Sequence, residues 1–139
     1  MNNSILEVAI GQKLPSIVKS ISQSQIDIYG DAQGDYNPIH HDQEWAAQHS
    51  PFGGTIAHGM MSMAFVSQMV TSFFGIGWVN NSEIEVRFLH PVKPGDVIST
   101  NGAVVDIIPS EHGKLVICDL KSHNQDGTLV LSGQGKINI

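Results

Sequence analysis

Residues 34 to 42 read GDYNPIHHD, which places a carboxylate, a phenol, an amide, a proline and two imidazoles in one short stretch. Asp35 and His40 flank an Asn37–Pro38 step. A carboxylate beside an imidazole is the minimum needed for general acid–base chemistry. Turn formation accounts for part of the stretch, since Asp, Asn, Pro and Gly are turn residues and Asn37 can close an Asx turn on its own backbone. It does not account for His40 and His41. A second glycine-rich histidine segment, GGTIAHGM at 53–60, opens a long apolar run. A helix beginning there offers bare N–H groups and a positive dipole end, which can polarise a carbonyl or hold an oxyanion. The two parts together define proton transfer and addition next to a carbonyl.

Other chemistries lack their parts. The chain has no Gly-x-Ser-x-Gly elbow. Its one cysteine, Cys118, sits in KLVICDLKS, where it reads as a buried strand residue with no electropositive setting. His41, Asp42 and His49 could join His40 around a metal, but no HExxH or cysteine-rich spacing supports one, so neither a metal nor a cofactor is expected. His90, His112 and His123 fall at strand ends or turns and read as surface residues.

The elements that must position Asp35 and His40 follow from local pattern. LPSIVKSIS near the start can form a short strand. Ser22 with Gln25 has capping-box spacing, so a short helix starts there and stops by Gly30 or Gly34. Asn37-Pro38 disfavours helix for the preceding residue, which predicts an irregular loop over 34–41. Asp42 can cap QEWAAQH. IAHGMMSMAFVSQMVTSFF then predicts one long helix, apolar all round at its start and amphipathic towards its end. That start asks for a sheet curling round it or a partner covering it. Beyond it, EIEVRFL alternates Ile84, Val86 and Phe88 with charged residues, and VISTNGAVVDII, KLVICDLKS and TLVLSGQGKINI give three more strands. KPGD at 93–96, PSEHG at 109–113 and NQDG at 124–127 supply turns. The expected class is α+β, a mainly antiparallel sheet with one long helix, in two layers.

The bulk numbers suit one domain over 1–139: 139 residues, 41% hydrophobic and 14% charged. A formal net charge of -6 with seven Lys and Arg argues against a nucleic-acid surface. The start lacks a basic, apolar leader, and the stretch from Met60 to Phe74 is too short and polar for a membrane span, so a cytoplasmic, non-membrane protein is expected.

GDYNPIH (34–40), FGGTIAHGMM (52–61) and VRFLHPVKPGD (86–96), in that order, resemble the MaoC-like, (R)-specific enoyl-CoA hydratases, whose hallmark is Gly-Asp-x-Asn-Pro-aliphatic-His. The resemblance implies the hot-dog fold, a curved antiparallel sheet wrapped round one long helix. It implies that Asp35 and His40 together activate a water that adds to C3 of a trans-2-enoyl thioester and return a proton to C2. It also implies that the Gly59 N–H polarises the thioester carbonyl, and that Asn37 shapes the loop. Tyr36, Asn37, His58, Met60 and Lys93 are the candidate substrate contacts. His58 reads first as structural, Met60 first as core, and Lys93, like Arg87, Lys114, Lys121 and Lys136, either as a phosphate contact or as a solvated side chain. Gly53-Gly54-Thr55 departs from the bulkier or proline-containing segment of many relatives, which bears on loop stiffness and pocket depth. The implied partners are an acyl-CoA thioester or an acyl carrier protein, and a second copy in a homodimer or higher homo-oligomer. The alternatives are a 3-hydroxyacyl-carrier-protein dehydratase, a thioesterase, which the absence of Asp and Glu from Met60 to Phe74 disfavours, and a catalytically silent acyl-binding module.

Overall fold

The computed structural model describes residues 7–139. The elements in chain order are β1 (Ile17–Ser20), α1 (Gln23–Gln33), α2 (Pro38–His41), α3 (Gln43–His49), α4 (Gly59–Phe74), α5 (Gly77–Asn80), β2 (Ser82–Phe88), β3 (Val97–Ser110), β4 (Gly113–His123) and β5 (Leu129–Asn138). The strands form one sheet in the order β1-β3-β4-β5-β2, and every pairing is antiparallel. α4 lies across one face of it, and this is the curved sheet and long helix that the resemblance implies.

Apolar burial explains the contact. Val66, Met69 and Val70 of α4 meet Ile98, Val104, Val116, Leu120 and Leu131 of the sheet, all buried. Along β4, Val116, Cys118, Leu120 and Ser122 point inward and alternate with more exposed neighbours. A register shift between Val104 and Asp106 leaves Val105 unpaired against β4, a bulge that bends the long β3. Ser122 is buried but bonds Thr100 across the sheet at 2.8 Å, so its hydroxyl is satisfied. Burial pushes the Cys118 thiol up to about 11, which makes it a packing residue.

Three expectations need correction. Residues 38–41 are a helical turn rather than irregular loop. Pro38 occupies its first turn, where a missing N–H costs nothing, and Asn37 caps it. The step that ends one helix therefore starts the next. α4 begins at Gly59 and its own sheet does not enclose its start: Met60 is 59% exposed, and Ala64 is exposed too, so of the two expected covers only a partner is left. The sheet covers only one side of the helix there. On β2, Ile84 and Val86 pack on the core, but Phe88, the last residue of the strand, is 51% exposed, its ring beside Gly59 at the head of α4. α5 was not anticipated. It buries Trp78, whose indole N–H donates to Thr71 Oγ1. Among the described residues, no helix is long and apolar enough to cross a membrane.

Candidate active site

The site is assembled by helix ends. Ser22 and Gln25 form the expected capping box at the start of α1. The helix stops at Gly34, which adopts φ 68°, the left-handed region open to glycine. The Gly34 N–H donates to Asp31 O and the Asp35 N–H to Gly30 O, closing a Schellman arrangement. Asp35 is thus fixed as the first residue beyond the turn. Its Oδ1 accepts from the Asn37 N–H at 3.1 Å, and Asn37 Oδ1 accepts from the Ile39 N–H at 3.1 Å. The Asn37 side chain is committed to the backbone, which suits shaping the loop better than touching a substrate.

His40 projects from α2. Its Nδ1 lies 2.8 Å from Ile56 O, an acceptor only, so Nδ1 carries the proton and a neutral ring keeps its Nε2 lone pair free. Gln23 holds the assembly from below. Its amide donates to His40 O at 2.7 Å and to Asp27 Oδ1 at 2.8 Å, while its carbonyl accepts from buried Thr55 Oγ1 at 2.6 Å. Gly54-Thr55 is thereby tied to α1, and Thr55 N also donates to Gln43 Oε1.

Asp35 Oδ2 lies 3.9 Å from His40 Nε2 and 3.7 Å from His58 Nε2. Both separations exceed a hydrogen bond and suit one small donor between the groups. The His40 and His58 rings stack with centroids 3.8 Å apart and planes 26° from parallel. Nearly parallel stacked rings do not aim both lone pairs at one point, so the trio is better suited to handling protons than to ligating an ion. His58 is 5% exposed and, among the described residues, neither ring nitrogen has a hydrogen-bond partner. Burial first, and then the neighbouring His40, push its pKa below the ordinary 6.5, so it is neutral near pH 7.

Gly59 heads α4, where no side chain caps the bare N–H groups. A Cβ there would meet the Phe88 ring at 3.3 Å, so the glycine lets the strand end approach the helix. Two clefts meet at this point, each of about 350 Å³. One is polar and includes Asp35, His58 and Met60; the other is mostly apolar and includes Phe52, Ser62 and Phe88. His40 and Gly59 line both.

Of the residues singled out from sequence, Asp35, His40, His58, Gly59 and Met60 come together. Tyr36 does not line either cleft; it is exposed, with its ring 6.5 Å from that of His41. Lys93 also lies outside both, its Nζ donating to Phe52 O at 2.9 Å. Sequence reasoning missed Gln23, Phe88 and the part played by His41. His41 Nδ1 is 2.9 Å from Asp27 Oδ1 and its Nε2 is 2.8 Å from Asp35 O. The hydrogen bond to Asp27 is the main cause that raises the His41 pKa above 6.5, and the same bond holds the Asp27 carboxyl below 3.8. The second histidine in the sequence was visible, but its partner lay a helix away.

A curved sheet around one helix, with a carboxylate and two imidazoles beside that helix's uncapped end, is the frame of a hot-dog hydro-lyase. Residues 6–125 match the MaoC like domain. The chain belongs to the MaoC-like hydratase/dehydratase family. It is 30% identical over 135 residues to the 3-hydroxybutyryl-CoA dehydratase of Methylorubrum extorquens, covering 96% of this chain and 81% of that protein. It is 34% identical over 127 residues to the (R)-specific enoyl-CoA hydratase of Rhodospirillum rubrum, covering 89% and 83%. Among solved structures, unliganded R-hydratase PhaJ1 from Pseudomonas aeruginosa aligns with a TM-score of 0.80 at 30% identity, over 95% of this chain and 82% of that one.

Proposed function

We propose that this chain, acting as a single-domain protein within a homodimer, adds water to trans-2-enoyl-CoA thioesters to give (R)-3-hydroxyacyl-CoA, and catalyses the reverse dehydration. The observation that carries this reading is the pairing of two proton acceptors, Asp35 Oδ2 and His40 Nε2, 3.9 Å apart beside the head of α4.

A water seated between them donates one O–H to each. As its oxygen bonds to C3, one proton passes to the pair and the C2–C3 π electrons move towards the carbonyl. The enolate oxygen that develops accepts from the Gly59 N–H, where a fixed dipole acts without reorganisation. The pair then returns a proton to C2. Nothing is oxidised and no group leaves in the hydration direction. His40 suits the shuttle because Ile56 O fixes its tautomer. Neutral His58 backs the pair without adding a second positive charge. The apolar cleft suits the acyl chain, and the exposed side chains beside the two clefts, Phe88 at the apolar one and Met60 at the polar one, suit cover by a second copy.

The test is loss of the enoyl-thioester absorbance of crotonyl-CoA, with chiral analysis of the product. Asp35→Asn should lower kcat by roughly 10²–10⁴-fold. Its melting temperature should change little, since the amide oxygen can still accept from the Asn37 N–H. Full turnover by that variant would remove Asp35 from the mechanism, and an (S) product would overturn the stereochemical assignment.

A further inference from the structure

Beside the proton-acceptor pair, a second polar cluster joins α1 to the loop that carries Asp35. His41 is at its centre. Each of its ring nitrogens faces an oxygen that accepts only: a carboxylate oxygen of Asp27 at 2.9 Å from Nδ1, and the backbone carbonyl of Asp35 at 2.8 Å from Nε2. A neutral imidazole has one N–H and can satisfy one of these oxygens; only the imidazolium satisfies both. The packing is made for this ring. A Cβ on Gly30 would lie 2.3 Å from its Cε1 and 2.4 Å from its Nε2, so α1 carries a glycine where the ring rests against it.

We propose that His41 is a positioning residue that works as a cation: from Nδ1 it grips Asp27 on α1 and from Nε2 the Asp35 carbonyl, so a charged brace holds the loop that presents the Asp35 carboxylate. Its effect on turnover rests on the hydratase reading above; the brace itself does not. The groups around it divide the work. Asp27 on α1 and Asp35 on the loop supply negative charge. The His40 ring on α2 and the His58 ring ahead of α4 stand 6.2 and 5.5 Å from that of His41, and the Tyr36 ring stands 6.5 Å from it. Gln23 holds Asp27 in place from the other side.

The direction of the linkage follows from the shifts. The folded-state pKa of His41 is raised above 6.5, so its stabilising contribution is complete below 6.5 and is lost as pH rises through the raised value. Asp27 is shifted below 3.8, so its share is present above 3.8 and lost as pH falls through the lowered value. The brace therefore fails first on the alkaline side.

Long-range ¹H–¹⁵N spectra of the histidine rings test this without substrate. In the wild type at about pH 7.5, a pH at which a free imidazole is mostly neutral, His41 should show both nitrogens protonated. The backbone amides of Asp35 and Asn37 should shift with the same midpoint as the ring when pH is raised further. Asp27→Asn should move that midpoint down, and with it the alkaline limb of kcat; Asp27→Glu should restore part of it. A neutral His41 tautomer in the wild type at that pH overturns the proposal. So does a His41 titration that leaves the two amides unmoved, or a midpoint that ignores Asp27→Asn. Absence of any thioester turnover would sink the hydratase reading while leaving the ring spectra to decide the brace.

Discussion

Gly30→Ala sets two physical effects against each other with opposite signs. Gly30 lies inside α1 and is buried. Helix propensity alone favours alanine there by about 0.8–1 kcal/mol, so a reading of α1 as an ordinary helix predicts a more stable protein. The structure predicts the reverse. The new methyl would lie 2.3 Å from His41 Cε1 and 2.9 Å from Asp35 O, against a normal carbon–carbon contact of about 3.5–4.0 Å. The ring must retreat by more than about 1 Å to reach that spacing. That breaks its 2.8 Å bond to Asp35 O. Losing a hydrogen bond to a charged group costs about 1.5–3 kcal/mol, and strain in a close-packed site adds about 1–3 kcal/mol. Setting the propensity gain against these leaves a net loss of roughly 1.5–5 kcal/mol. For a chain of this length that is a fall in melting temperature of at least several degrees. Freeing the Asp35 carbonyl from His41 lets the carboxylate drift, and a misplacement approaching about 1 Å would cut kcat by on the order of 10²-fold. Differential scanning calorimetry and the crotonyl-CoA assay read both. A raised melting temperature with unchanged kcat would show that propensity wins and that the close approach of α1 to His41 is not a constraint.

Two further outcomes follow from the buried groups. His58 has a folded-state pKa below 6.5 and no hydrogen bonds to lose, so the unfolded chain binds its proton more readily and the fold weakens as pH falls from 6.5 towards the lowered value. His58→Phe should flatten that acid-side loss in melting temperature, and an unchanged slope between about pH 7 and pH 5 would place the titration elsewhere. Met69 is fully buried between α4 and the sheet, its Cε against Gly102, so Met69→Ala should cost about 2–5 kcal/mol in urea unfolding; a loss under about 1 kcal/mol would mean the core can collapse around the cavity.

Local chemistry made much of this molecule readable in advance. The Ser22–Gln25 box, the Asp42 cap and a strand over KLVICDLKS each depend on neighbours a few residues apart, and each appears as expected. Asp35 and His40 could be singled out for the same reason, since one short stretch of sequence carries both. What was not legible depends on distance along the chain. That His41 bonds both Asp27 and the Asp35 carbonyl depends on Asp27 and on the space left at Gly30, both on the preceding helix, and nothing in NPIHHD reports them. Phe88 kept the right alternation and still lies half out of the core, at the strand's last position beside the head of α4, which the pattern does not report. The turn at 38–41 was misread for another reason: Asn-Pro is both a stop and a start, and only the Asn37 Oδ1 bond to Ile39 N–H decides which.

The loop divides its labour between backbone and side chain in a way that ties the proposed chemistry to helix termination. Asp35 uses its N–H to close α1 and its carbonyl to receive His41, so its backbone is held from both sides. One carboxylate oxygen takes the Asn37 N–H, and the other is left facing His40 and His58. A shift of Gly34 out of its left-handed conformation would move all of these together. The glycine before the aspartate thus bears on the proposed acid–base chemistry, although it carries no group that could touch a substrate. The same reasoning ranks the neighbours: His40 is set by Ile56 O and Gln23, and Asp35 by Gly30 O, Asn37 and His41, so the separation between the pair depends on how α1, α2 and the 54–58 segment are tied together. Gln23, which bonds all three, should therefore be as sensitive to substitution as the residues of the cleft, through geometry rather than proton transfer.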